Sequence, residues 1–158
     1  MVSESKLQKL VKHLIDAQYQ GKILALPKQF DAWIEGGKII PASKKINGNG
    51  LIAARFSYSG VIGINPCAAP VELICAFASF YLQENASEYD STEVEFSSDI
   101  NDDNSCDVEL TIEKFEEDIE LIENPSGVFV LDGKRYDFGK QSLWIAETFS
   151  LTTEITSS

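Results

Sequence analysis

One histidine, three cysteines and a single run of carboxylates are the residues of this 158-residue chain whose types could do chemistry. His13 would have to serve any Ser-His-Asp or Cys-His arrangement. It falls on the polar side of a helical pattern, where a solvated imidazole is expected. Cys67, Cys75 and Cys106 are odd in number, widely spaced and free of any CxxC pair. That suits reduced, inert thiols better than a disulfide framework or a zinc site, because one histidine leaves few nitrogen ligands. No GxxxxGK[ST] loop occurs, and no GxGxxG leads from a strand into a helix. The GNG at 48–50 reads as a loop.

The carboxylates offer two further chemistries, and both fail on their spacing. In Asp99-Ile-Asn101-Asp102-Asp103-Asn104-Ser105 the first, third and fifth positions resemble a calcium loop. Asn104, however, occupies the sharp-turn position that needs glycine, and Leu110 the twelfth position that needs a bidentate glutamate. An Asn/Asp-rich turn is the expectation. Paired carboxylates for acid–base work could come from the same run, but a solvated strand face supplies no burial to separate their pKa values. The expectation is no catalytic residue, no cofactor and no metal: not an enzyme.

The elements that carry the run follow from its period. Over 93–123 apolar and acidic residues alternate as in a two-stranded ribbon. Val94, Phe96 and Ile100 share one face of the first strand, and Glu93, Glu95 and Asp99 the other. In the second strand Cys106, Val108, Leu110 and Ile112 face inward while Asp107, Glu109 and Glu113 face out. Closing the hairpin through residues 101–105 sets Asp99 opposite Asp107. Like charges placed opposite each other cost a few tenths of a kcal/mol per pair, which suggests a use for the charge outside the fold. After Ile112 the phase changes to Phe115, Ile119 and Leu121, so a β-bulge is expected near Lys114.

Upstream, Leu7, Leu10, Val11, Leu14 and Ile15 recur at helical spacing, with Lys6, Lys9, Lys12, His13 and Asp16 on the other side. QFDAWIEGGKIIPA reads as a hairpin turning at Gly36-Gly37, with Phe30, Ala32 and Ile34 alternating against Asp31, Trp33 and Glu35. Trp33 on that polar face is either covered by a neighbouring segment or kept for a partner subunit. KKINGNG is a loop. LIAARFSYSGVIGIN is a long strand with Ile52, Ala54, Phe56, Tyr58, Ile62 and Ile64 in one phase. Pro70 fits the first turn of a helix, and VELICAFASFYLQEN is apolar nearly all round, as befits a segment under other elements or at a subunit contact. VFVLDGKRYDF predicts a hairpin with a type I′ turn at Asp132-Gly133. LWIAETFSL suits a last strand, and TTEITSS a fraying tail.

These elements make an α+β domain over residues 1–150, a mostly antiparallel sheet with two helices on one face and a long acidic β-hairpin, ending in a polar tail at 151–158. A 44% hydrophobic content suits one globular core. Thirteen basic against 25 acidic residues give a net charge of −12, which disfavours nucleic-acid binding and favours basic partners or a surface that repels DNA. No apolar run approaches the roughly 20 residues that cross a bilayer, and MVSESKLQKL lacks a signal's apolar centre. The expectation is an intracellular protein with no membrane contact. Trp33, Glu93, Glu95, Asp99, Asp107 and Glu109 form the candidate interaction surface.

Three passages resemble the tail completion protein R family of P2-type contractile-tailed phages. They are KLQKLVKHLIDA leading into FDAWIEGGKI, the strand-to-helix stretch RFSYSGVIGINPCAAPVELICAFASFYLQEN, and above all VEFSSDINDDNSCDVELTIEKFEED. In the last, Phe96, Asp99, Ile100, Asp102, Asp103, Asp107, Val108, Leu110 and Ile112 match the family's pattern. The similarity covers roughly residues 5 to 123, and its motifs are structural. The resemblance implies a late-acting component of the phage tail or of a prophage or tail-like particle, similar to tail terminators. Its expected partners are the tail tube, neighbouring tail or head–tail connector proteins, and further copies of itself in a ring, possibly a hexamer. Its expected place is the host cytoplasm during assembly and the virion tail afterwards. A small acidic immunity or inhibitor protein neutralising a basic toxin, and a hydrolase, remain as alternatives. Monomeric tight binding would mark the first, and metal dependence the second.

Overall fold

A computed structural model describes residues 5–46, 48–101 and 104–139. Helix α1 (Lys6–Asp16) leads into a short hairpin of β1 (Gln18–Tyr19) and β2 (Lys22–Ile23), then a 3-10 turn (Pro27–Gln29). After it come β3 (Phe30–Lys45), β4 (Gly50–Cys67), α2 (Val71–Asn85), β5 (Val94–Ile100), β6 (Cys106–Glu123), β7 (Phe129–Leu131) and β8 (Lys134–Phe138). The main sheet is antiparallel throughout, in the order β3-β4-β6-β8-β7. On its side away from β4, β6 holds two partners in succession: β5 along 106–112 and β8 along 121–123.

Both helices lie on one face, making this an α+β fold. Leu7, Leu10, Val11 and Leu14 of α1 are fully buried, each contributing about 1.5–3 kcal/mol of apolar burial. They meet Phe30 and Ala32 of β3, Tyr58, Ile62 and Ile64 of β4, and Val108, Leu110, Ile112 and Phe115 of β6. From α2 only the i, i+4, i+8 stripe of Ile74, Ala78 and Leu82 is buried. A second, small cluster of Leu51, Leu121 and Tyr136 closes the far end of the sheet.

Much of the pattern read from sequence is present. Asp99 pairs with Asp107. The bulge near Lys114 exists: Tyr58 pairs with Phe115 but Gly60 with Ile112, leaving an extra residue on β6. Asp132 and Gly133 both take positive φ, 51° and 77°, as a type I′ turn requires.

Other expectations are corrected. Gly36-Gly37 is no turn; β3 runs straight through it, with a register shift between Ile34 and Gly36. The glycine there serves close approach, because a Cβ on Gly37 would stand 2.1 Å from the Ser57 carbonyl oxygen and 2.8 Å from Tyr58 Cα. The true reversal of β3 into β4 comes at the following loop, where Ile46 N–H donates to Gly50 O at 3.1 Å. Ile52 does not share the phase of Ala54, because β4 also slips register between them. Pro70 sits immediately before α2 as its N-cap rather than in its first turn. Phe96 and Ile100 were expected inward and lie 58% and 90% exposed, on an edge strand that pairs only with β6. The β1–β2 hairpin at Gln20-Gly21 was not foreseen, though both residues carry the positive φ of a turn. LWIAETFSL and TTEITSS lie outside the described residues.

Candidate interaction surface

The sheet face away from the helices gathers the residues singled out above. Trp33 pairs with Val61, Val61 with Thr111 and Thr111 with Glu95. One step along, Asp31 pairs with Gly63, Gly63 with Glu109 and Glu109 with Ser97. One further step along the β5–β6 pair stand Asp107 and Asp99. Glu93 is exposed one residue before β5. Trp33, Glu95, Asp99, Asp107 and Glu109 therefore share one half-sheet, with Asp31 alongside.

Trp33 is neither covered nor fully free. It is 36% exposed, its ring lies 3.7 Å from where a Cβ on Gly63 would be, and its indole N–H donates to Glu35 Oε2 at 2.8 Å. Gly63 stands opposite Asp31 and diagonal to Trp33, so the ring leans across the neighbouring strand. Asn101 Nδ2 donates to Asp107 Oδ1 at 3.1 Å and to Ser105 Oγ at 3.2 Å. That amide relieves part of the Asp99–Asp107 repulsion. Among the described residues none of these carboxylates enters an ion pair. The other half of the same face is mixed in charge: Arg55 meets Asp118 at 3.4 Å and stacks over the Tyr89 ring at 4.6 Å, and Lys114 meets Glu116 at 3.2 Å.

Sequence reasoning missed a buried polar cluster at the start of α1. A helix leaves its first N–H groups without intrahelical partners, and here three are accounted for. Lys6 N–H donates to Glu117 Oε2 at 3.0 Å, Leu7 N–H to the Tyr58 hydroxyl at 3.3 Å, and Gln8 N–H to Ser5 Oγ at 3.1 Å. Gln8 returns the bond from its side chain to Ser5 N–H at 2.9 Å, completing a capping box. The Tyr58 hydroxyl donates to Glu117 Oε2 at 2.5 Å.

Charges around the cluster are tuned by burial. Burial pushes the Glu117 carboxyl above its usual range against the pull of Tyr58 and Lys6. Tyr58 is pushed far up by burial and by the Glu117 charge. Burial also opposes ionisation of Asp90, yet Lys6 Nζ at 2.7 Å with the N–H groups of Ser87 and Glu116 at 2.9 and 2.8 Å hold it below the ordinary carboxylate value. These bonds pin the segment between α2 and β5 to both α1 and β6. The signal that could have found the cap is Ser5 followed three residues later by Gln8; the burial of Glu117 inside FEED has no such signal, since a run of acids reads as solvated.

The remaining sequence candidates stay apart. His13 is exposed at the α1–α2 contact, 4.7 Å from the Tyr81 ring. Cys67 and Cys106 are free thiols at the end of the sheet, and burial pushes the Cys67 thiol up, away from thiolate reactivity. No group of three or more metal-ligating residues occurs among the described residues.

The architecture defines the class: an α+β protein on one long antiparallel sheet with both helices on one face. The family model for P2 phage tail completion protein R (GpR) matches residues 4–139, and the chain belongs to that family. It is a family of structural tail proteins rather than of enzymes, so the role is structural, in the phage tail. An uncharacterized 19.2 kDa protein from the rep-hol intergenic region of Haemophilus phage HP1 (strain HP1c1) is 28% identical over 158 residues, covering 92% of this chain and 93% of its own length. No solved structure matches the chain significantly.

Proposed function

We propose that this protein terminates the phage tail, capping the finished tube as a ring of six copies so that the head can join. The observation that carries the reading is the outer half-sheet, where carboxylates without ion pairs among the described residues share a face with a partly exposed tryptophan, in a member of a tail completion family. Copies assemble in the host cytoplasm and remain in the virion tail. The acidic half-sheet lines the lumen, where it lets DNA pass without sticking, or it meets a basic surface on the next tail protein. Salt separates these two options: a partner contact weakens as ionic strength rises, since exposed charges are screened over about 8–10 Å.

A phage lacking the gene is the test. Its lysate should hold filled heads and unjoined tails in negative-stain micrographs, and native mass spectrometry of assembled tails should count six copies. Normal infectious particles from the deletion would end the reading, and one copy per tail would end the ring.

A further inference from the structure

Beyond Ile34, strand β3 becomes an arm. Every residue from 35 to 45 is exposed, Ile39 and Ile40 included. Lys38, Lys44 and Lys45 supply its charge, and no carboxylate occurs in the sequence between Gly36 and Val71. In a chain of net charge −12 the arm is a basic island. Register shifts, proline and lysine are the devices that stop an edge from accepting another strand, and the arm has all three. What meets it must lie across its faces.

The other basic side chains are spent, scattered or mixed with acid. Lys6 is held by Asp90 at 2.7 Å, Lys114 by Glu116 at 3.2 Å, Arg55 by Asp118 at 3.4 Å and Lys134 by Glu123 at 3.5 Å. Arg135 donates to Gly127 O at 3.0 Å. Lys9, Lys12 and His13 share the exposed side of α1 with Asp16, and Lys22 and Lys28 come singly on β2 and the 3-10 turn. Lys38, Lys44 and Lys45 enter no ion pair among the described residues.

The surface that complements the arm is already on this molecule. The acidic half-sheet offers Glu93, Glu95, Asp99, Asp107 and Glu109 to lysines, and Trp33 as an apolar anchor to Ile39 and Ile40. A copy cannot join the two by itself. The arm stays paired with β4 along its length: Lys44 lies opposite Ile52 and Trp33 opposite Val61, roughly 30 Å apart along that strand. The acidic residues reach β5, which lies beyond β4 and β6 from the arm. Arm on arm sets lysine against lysine, and acidic half on acidic half sets carboxylate against carboxylate. Arm on half-sheet is the pairing that charge allows.

Resting on the ring reading above, we propose that the β3 arm of each copy docks on the acidic half-sheet of the next. Of the two places open to that half-sheet this is the second, with the basic surface supplied by another copy. Made head-to-tail, such a contact leaves one arm and one half-sheet free at the ends of a chain of copies, and these meet when it closes into a ring.

The test uses two full-length variants, native mass spectrometry and a thermal melt. One carries Lys38→Glu, Lys44→Glu and Lys45→Glu, the other Glu95→Lys, Asp99→Lys and Glu109→Lys. All six positions are exposed, so both melting temperatures should stay near the parent's. Each variant alone presents one sign on both surfaces and should run as a monomer. Mixed in equal amounts, the two should rebuild oligomers of the parent's size with the chains alternating. Parent-like oligomers from the arm variant, or variants that stay apart when mixed, would overturn the docking and leave the ring standing. A parent that stays monomeric in solution overturns the docking as well, while six copies on assembled tails would still uphold the ring. A parent that stops at a pair upholds the docking, made reciprocally, and ends the ring.

Discussion

Asp90 is the residue on which the α1 end of the molecule turns. Its side chain is fully buried, and it accepts from Lys6, Ser87 and Glu116, tying a helix, a connection and a strand together. Asp90→Ala leaves three donors without their acceptor and should cost about 2–4 kcal/mol, lowering the thermal midpoint by roughly 5–15 °C in a chain of this size. Because the folded pKa of Asp90 is lowered, its contribution is complete above the ordinary carboxylate value and is lost as pH falls through the lowered one. Glu117 works in the opposite sense. Its folded pKa is raised, so the folded state loses stability as pH climbs from the ordinary glutamate value through the raised one. Glu117→Gln keeps an acceptor for Lys6 N–H and Tyr58 and removes that loss. Urea melts across pH 4–8 should show the variant gaining on the parent as pH rises; a constant difference would refute the assignment.

Among the elements, strand phase was the legible quantity and strand end was not. Alternation located Asp99 against Asp107 and the extra residue near Lys114, because one face of each strand packs on a core and a slip would turn every side chain over. The same logic failed for Phe96 and Ile100, since periodicity tells which face a residue takes but not whether a helix covers it. Gly36-Gly37 misled for a different reason: glycine pairs mark turns, and they also mark places where backbones crowd. Gly37→Ala should test the distinction. At a turn it would be mild, but here the added carbon meets the backbone of the neighbouring strand, so a loss of about 1–3 kcal/mol is expected, read by chemical denaturation. Of the candidate surface, the outward phase of each residue on its own strand was visible in the sequence; that the register brings Trp33 and the carboxylates to one face was not. The α1 cluster was hidden, because it joins positions up to 111 apart that only the register brings together.

For the molecule as a whole, the net charge of −12 has its sharpest local expression in the outer half-sheet. Changing Glu95, Asp99, Asp107 and Glu109 together to their amides preserves shape and relieves the Asp99–Asp107 pair. The variant should melt at or above the parent temperature and complement tail assembly or DNA delivery poorly. Full complementation by the folded variant would show the charge to be idle. The two register shifts that flank β4 carry another consequence. One falls on β3 between Ile34 and Gly36, the other on β6 between Ile112 and Phe115, and both face the same short stretch of β4 at 58–60. The ladder is thus interrupted on both sides at one level, with the helices and main core chiefly on one side of it and the Leu51–Leu121–Tyr136 cluster on the other. In amide-exchange terms the molecule should behave as two cooperative units. Protons of β4 and β6 beneath the helices should exchange only through global opening, and those around Leu51 and Leu121 through a cheaper, local one, so the far end can loosen and re-form while the helix-bearing half stays folded.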